Sequence, residues 1–184
     1  MFIHKNNLII RNATQEDASI LCKWWNDGKI MAHAGFPKGI NTTEQVIANS
    51  LLKDTDETHR RLILEVDGVA VGEMNYRNKG NQTAEIGIKI CDFSKHNQGN
   101  GKRFLSMLIQ SLFKDQGYTK IILDTNIKNT VAQNVYDKLG FIKVGVRENS
   151  WKDTEGVMQT SIDYQLFEPD FINHIELLPS SASQ

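Results

Sequence analysis

Three groups of residues in this 184-residue chain have the types and spacing to do chemistry. The first is His96-Asn97-Gln98-Gly99-Asn100-Gly101-Lys102. Its glycines let the backbone come close to a ligand, and a helix starting near Gly101 would aim its unpaired N–H groups into the loop. Such a helix end carries about half a positive charge and suits a phosphate. The same residues also fit an ordinary glycine-rich turn. The second group lies in the stretch from Asn129 to Phe141. There Asn129 and Asn134 can hydrogen-bond the amides of a ligand, and Tyr136 can give up a proton. Asn129 reads equally as a helix N-cap, Tyr136 as the aromatic knob of a helical face, and Lys138 as a favourable charge near the helix end. The third is Glu85, which shares one side of a strand with Gly87, Lys89 and Cys91 and is a candidate base, with Glu73 as second choice. Its plain alternative is a solvated residue paired with Lys or Arg.

The elements that must position these groups follow from periodicity. Ile86, Ile88 and Ile90 alternate with polar or small residues over Ala84 to Cys91, the period of a strand. After the loop, Phe104, Leu105, Leu108, Ile109, Leu112 and Phe113 share one face of a helix that Gly117 stops. A strand over Lys120 to Thr125 leads into a short helix with Val131, Ala132, Val135, Tyr136 and Leu139 on one side and Gly140 at its end. Upstream, Leu8 to Arg11 reads as the first strand, and Thr14-Gln15-Glu16-Asp17 as a capping box opening a helix through Trp24. Residues 29–41 read as a loop, and Thr42-x-x-Gln45 caps a second helix. Arg61 to Val66, Asp67-Gly68 and Val69 to Tyr76 form the clearest hairpin. Two further strands are expected, at about Lys143 to Ser150 and Val157 to Phe167, with a helical turn at Phe171 to Leu177 and fraying from Ser180. A meander that switches to strand–helix–strand predicts an α+β fold with helices on both faces of a mixed sheet.

The order strand, phosphate-type loop, helix, strand, then a helix reading N-x-x-A-x-x-x-Y-x-K-x-G-F, resembles the GCN5-related N-acetyltransferase superfamily. Within it the match is to the branch holding ribosomal-protein N-terminal and spermidine acetyltransferases. The resemblance spans roughly residues 8 to 168 and is densest over 83 to 141. It implies a mostly antiparallel sheet of six to seven strands whose central parallel pair splays apart to admit acetyl-CoA. It also implies cofactor contacts at Ile90 and Cys91, at the backbone of Gln98, Gly99, Asn100, Gly101 and Lys102, and at Asn129, Asn134 and Tyr136. Tyr136 would protonate the leaving thiolate, Glu85 would drain a proton from the amine, and an N–H around Cys91 would take the oxyanion. Where the family loop usually begins with Arg or Gln, this chain has His96, which weakens a side-chain contribution more than a backbone one. The acceptor would dock near Trp24, Trp25, Asp27, His33 and Phe36, and near Trp151, Asp153 and Glu155. Peptide N-terminus, polyamine and aminoglycoside all stay open as acceptors. The rival reading is an acyl-CoA-binding sensor without turnover.

Composition narrows the classes. With 40% hydrophobic residues the chain can build one core, so a single acetyltransferase domain over residues 1–168 with a tail over 169–184 is expected. The 21 basic and 22 acidic residues form no basic run, which argues against a nucleic-acid partner. Cys22 and Cys91 are too few for a disulfide framework, and the start MFIHKNNLII has no apolar stretch of signal-peptide length, so a soluble cytoplasmic monomer or homodimer, with no membrane partner, is expected. Five histidines show no metal-ligand spacing, and no metal is expected. Arg103 stands where a nucleotide-hydrolysing P-loop needs Ser or Thr. Nothing around Cys91 in sequence makes a Cys–His–Asn/Asp case for a covalent nucleophile, and a cysteine at a strand end reads as packed.

Overall fold

The computed structural model describes residues 1–175. Eight strands form one sheet: β1 (Phe2–Lys5), β2 (Leu8–Asn12), β3 (His59–Val66), β4 (Val69–Asn78), β5 (Thr83–Ile90), β6 (Lys120–Asn126), β7 (Ile142–Lys152) and β8 (Met158–Phe167). Their spatial order is β1-β2-β3-β4-β5-β6-β8-β7, antiparallel at every junction but β5–β6. Among the described residues five α-helices accompany them: α1 (Ala18–Trp25), α2 (Gly28–Met31), α3 (Glu44–Leu51), α4 (Asn100–Lys114) and α5 (Thr130–Lys138).

The parallel junction is short. β5 and β6 pair at Thr83↔Lys120, Ala84↔Ile121 and Glu85↔Ile122, and the ladder stops there. β5 nevertheless runs on to Ile90 along β4, as far as Gly72↔Ile90, and β6 runs on to Asn126 along β8, as far as Asn126↔Ser161. Each strand follows its outer neighbour, so a slot opens between them past Glu85.

The strand alternation sends successive residues to opposite faces. Ile86 faces the larger core, where Phe104, Leu105, Leu108 and Leu112 of α4 pack on Ile10, Leu64, Met74, Tyr76 and Ile121. On the opposite face, Leu21 and Trp24 of α1 and Ile47 and Leu51 of α3 cover Ile63 and Cys91. Glu85, Gly87 and Lys89 belong to this second face by the same alternation, so the chemistry-bearing side of β5 looks toward α1.

The position of α1 is set electrostatically. Arg11 of β2 reaches Asp17 through two bonds of 2.8 Å and Glu65 of β3 through one of 2.7 Å. The Asp17 carboxylate also accepts the Thr14 N–H at 2.7 Å, the reciprocal half of the expected capping box. The helix is entered through a 3-10 turn at Gln15–Asp17.

Several local expectations shift. Phe2–Lys5 forms an additional strand through a turn with Asn6 at φ 54°, giving eight strands rather than six or seven; a short, mostly exposed edge strand has little apolar alternation to announce it. The first part of residues 29–41, expected as loop, is taken up by the single turn α2, which starts at Gly28, and by a 3-10 turn at Ala32–Ala34. The second helix is capped by Thr43, one residue later than expected, with its hydroxyl accepting the Val46 N–H. The chain after β8 makes a 3-10 turn at Glu168–Asp170, and residues 171–175 are not helical; the remainder of the helical turn expected at 171–177 and the fraying expected from Ser180 lie outside the described residues. On α5, Tyr136 and Leu139 are buried as expected, whereas Val131 is exposed.

Burial disfavours the charged form of Asp17, but the pairing with Arg11 and the Thr14 N–H outweighs it and holds the carboxyl below its usual range. A carboxylate with a depressed folded pKa stabilises the fold above its unfolded value and loses that contribution as pH falls through the folded value. Urea unfolding followed from neutral pH down through about pH 4 to 2 is therefore expected to show a steeper loss of stability for the parent chain than for Asp17→Asn, which lacks this titration.

Candidate active site

The site is assembled where β5 ends. Asp92 accepts the Ser94 N–H at 2.9 Å and starts a 3-10 turn at Phe93–Lys95. The chain then turns through Asn97 at φ 59° and Gly99 at φ 76°. Gly99 is the N-cap residue of α4, and a glycine has no side chain with which to cap. Arg103 N–H bonds to Gly99 O at 3.1 Å, while the N–H groups of Asn100, Gly101 and Lys102 have no acceptor among the described residues. Open space lies where a Cβ on Gly99 would project, and on Gly101 a Cβ would come no closer than 4.0 Å to Ile90.

The side chains of the loop are used internally. His96 donates from Nε2 to Ile90 O at 2.8 Å, since a carbonyl can only accept, and its ring lies 5.0 Å from that of Phe93. Gln98 Nε2 donates to Ser94 O at 2.7 Å, and buried Asn100 donates to Lys95 O at 3.0 Å. Side chains staple the loop, and main-chain donors are what it presents outward. That arrangement can receive an anion without any help from the residue at position 96.

The walls of the slot are backbone. Cys91 N–H donates to Val71 O at 2.8 Å, so it is committed to β4 and cannot serve as the oxyanion donor expected there. Backbone groups of a strand alternate in direction, which turns Gly87, Lys89 and Cys91 toward β4 and Ile88 and Ile90 toward the slot. The open N–H groups at this strand end therefore belong to Ile88 and Ile90. The difference is one of register, which the sequence of β5 by itself does not fix.

On the α1 side, Glu73 of β4 lies opposite Lys89 of β5. The Glu73 carboxylate is buried, at 6% exposure, and Trp25 Nε1 donates to both of its oxygens at 2.9 Å. Lys89 Nζ donates to Oε1, also at 2.9 Å. Burial and the Glu73 charge together push the Cys91 thiol well above its usual range, so it stays protonated and is a poor nucleophile. Glu85 sits at the closed end of the slot, in the last paired position of the parallel ladder, with Lys79 Nζ at 3.5 Å. Gly87 lies between Glu85 and Lys89 on this face, and Asn75 is its partner on β4. The Trp25–Glu73–Lys89 cluster was not evident in the sequence as a unit. Counting the β4–β5 hairpin register through the turn at 79–82 is the signal that could have found it.

Across the slot, Asn129 caps α5 by accepting the Ala132 N–H at 3.2 Å, so its side-chain carbonyl has a protein partner and Nδ2 is what it can offer a ligand. Asn134 is exposed on α5. Tyr136 is buried between Phe141 and Tyr164, with ring centroids at 5.8 and 5.5 Å, and its hydroxyl has no hydrogen-bond partner among the described residues. Burial, reinforced by the charge of Asp124, pushes this phenol above its usual value, so it remains a proton donor at neutral pH.

On the expected acceptor side two segments are strapped to each other. Thr154 N–H donates to Gly35 O at 2.9 Å, Lys38 pairs with Glu155 at 3.1 Å, and the Trp151 ring packs on Gly35. Gly35 has φ 93°, and a Cβ there would meet the Trp151 ring at 2.4 Å. The acidic groups are largely engaged: Asp27 accepts the Lys29 N–H, and Asp153 accepts the Glu155 and Val157 N–H groups and Gln159 Nε2. Trp24 is buried in the core, whereas His33 is exposed and Phe36 partly so. Among the described residues no group of three or more His, Cys, Asp or Glu is placed to hold a metal ion, and no helix is long and apolar enough to cross a membrane.

Comparison with known proteins bears on the family and the fold. Residues 7–142 match the acetyltransferase (GNAT) domain family. A [ribosomal protein bS18]-alanine N-acetyltransferase of Haemophilus ducreyi is 30% identical over 70 residues, 38% of this chain and 48% of that protein; the chain thus spans about half the length of this curated relative. Among solved structures, spermidine N-acetyltransferase from Vibrio cholerae in complex with CoA and spermine superposes with a TM-score of 0.78 at 18% identity, covering 90% of this chain and 98% of that one. A ribosomal L7/L12 alpha-N-protein acetyltransferase in complex with coenzyme A gives a TM-score of 0.81 at 15% identity, covering 91% and 98%. With its splayed parallel pair, open helix N-terminus and matched domain, the chain belongs to the acetyltransferase (GNAT) family of acyltransferases.

Proposed function

We propose that this protein transfers the acetyl group of acetyl-CoA to a primary amine by direct attack in a ternary complex, with no acyl-enzyme. The observation that carries the reading is the continuity of the site: uncapped N–H groups at the start of α4 follow directly on the open edge of β5. The CoA pyrophosphate would lie on the N–H groups of residues 98–102. The pantetheine arm would enter the slot, with Asn129 Nδ2 and Asn134 offering hydrogen bonds to its amides. The thioester carbonyl would meet the Ile88 or Ile90 N–H groups, which would hold the oxyanion as it forms.

The amine must lose a proton before its lone pair can attack. The Glu73 carboxylate is held by the Trp25 N–H on both oxygens and by Lys89 at 2.9 Å, whereas Glu85 pairs with Lys79 at the longer distance of 3.5 Å and has Arg77 opposite it on β4. Glu85 is therefore the proposed proton drain, acting through water along the face opened by Gly87, with Glu73 as the alternative. As the carbon–sulfur bond breaks, Tyr136 would protonate the thiolate. The buried, protonated Cys91 supports transfer without a covalent intermediate. A peptide N-terminus or a polyamine is the acceptor class suggested by the relatives named above, with an aminoglycoside-like amine also to be screened. The reading places one catalytic domain over residues 1–168, working in the cytoplasm as a monomer or homodimer.

The decisive experiment is an acetyl-CoA consumption assay against peptide, polyamine and aminoglycoside panels. Tight CoA binding with no acceptor stimulating turnover would favour a sensor instead. At the loop, Gly101→Pro removes one donor and disturbs the helix start, so CoA affinity measured by calorimetry should collapse. His96→Ala should cost within about tenfold, or about 1.4 kcal/mol. Tyr136→Phe keeps the ring and should lower kcat about a hundredfold or more with little change in CoA affinity. Because burial raises the Tyr136 pKa, its ionisation should produce no decline in rate up to about pH 10 in a pH–rate profile. Glu85→Gln should lose activity most at low pH and recover as free amine becomes available; a rate ratio independent of pH would move the base elsewhere, first to Glu73 or to a water held by backbone carbonyls.

A further inference from the structure

We infer that Lys89 is a self-acetylation site, an amine built into the acceptor side of the slot that takes the acetyl group when no external acceptor is bound. This rests on the acyl-transfer reading above. Lys89 lies between Ile88 and Ile90, the two residues whose N–H groups face the slot, and it projects on the α1 face where the acceptor would enter. Its side chain is 30% exposed and its Nζ is 2.9 Å from Glu73 Oε1. The carboxylate in turn is held by Trp25 Nε1 on both oxygens. A primary amine is thus held beside a carboxylate, next to the strand edge assigned to the thioester carbonyl. A lysine side chain is long and flexible enough to swing from β4 to the slot on the other flank of its own strand.

The step balances without any further reactant. The Lys89 ammonium passes a proton to Glu73, and the freed lone pair attacks the thioester carbonyl. The nitrogen–carbon bond forms, the second proton on nitrogen is lost to solvent, and the carbon–sulfur bond breaks. The departing thiolate takes the Tyr136 proton and leaves as the CoA thiol; Tyr136 is then reprotonated from solvent, and Glu73 returns its proton there. The product is a neutral amide at Lys89. Glu73 then loses its cationic partner and keeps the Trp25 N–H alone, leaving a buried carboxylate to attract the ammonium of an incoming acceptor.

The test is to incubate the full chain with acetyl-CoA in the absence of an acceptor and to map acetylated lysines by peptide mass spectrometry over time, with CoA binding measured in parallel. One acetyl group should accumulate on Lys89 at least about tenfold faster than on exposed lysines such as Lys5 or Lys143, at a first-order rate independent of protein concentration. Glu73→Gln should slow it by about 10² while CoA still binds, the usual loss on removing a general base. Lys89→Arg should bind CoA and show no such fast phase. Trp25→Phe, which frees the carboxylate without removing it, should retain Lys89 acetylation. If CoA binds and Lys89 is modified no faster than the exposed lysines, or as fast in Glu73→Gln, this inference is overturned and the acyl-transfer reading stands. If CoA does not bind at all, both fall together.

Discussion

The site depends on three residue pairs and on what happens after them. Thr83, Ala84 and Glu85 join β5 to β6, and the two strands then follow different neighbours. Leaving a buried backbone donor without a partner costs about 1–3 kcal/mol. The slot edge therefore has standing demand for hydrogen bonds, which water or an amide-rich, extended ligand can meet. The start of α4 adds a second group of unmet donors a few residues further along the chain. Recognition here is the completion of secondary structure that the chain leaves unfinished.

Much of this frame was legible because it is local. The isoleucine alternation of β5, the apolar face of α4 and the Asp67-Gly68 hairpin each declare themselves within about ten residues. The Asn129-to-Phe141 helix was legible too, down to its asparagine cap. What was hidden depends on register between strands. The N–H of Cys91 is taken by Val71 O, and Lys89 lies opposite Glu73, and both follow from the β4–β5 pairing rather than from β5 alone. β1 and α2 were hidden for another reason: each is four residues long and carries no periodicity to read.

Electrostatics divides the two sides of the site. The loop side offers partial positive charge from N–H groups and spends its side chains on keeping that backbone in place. The α1 side carries full charges that are already neutralised in pairs, Glu73 by Lys89 and Glu155 by Lys38. A cationic acceptor would have to displace an existing cation to gain a carboxylate, so charge alone gives it little advantage.

The strap between Gly35 and the β7–β8 turn bears on how the acceptor side moves. Trp151, Thr154 and Glu155 are bound to a segment more than a hundred residues earlier in the chain, through a ring contact, a main-chain bond and an ion pair. Two walls tied at three points behave mechanically as one body, so neither can adapt to an acceptor without carrying the other. Shape selection on that side then belongs to the pair as a unit, and substitutions on the two walls would combine non-additively although they lie far apart in sequence.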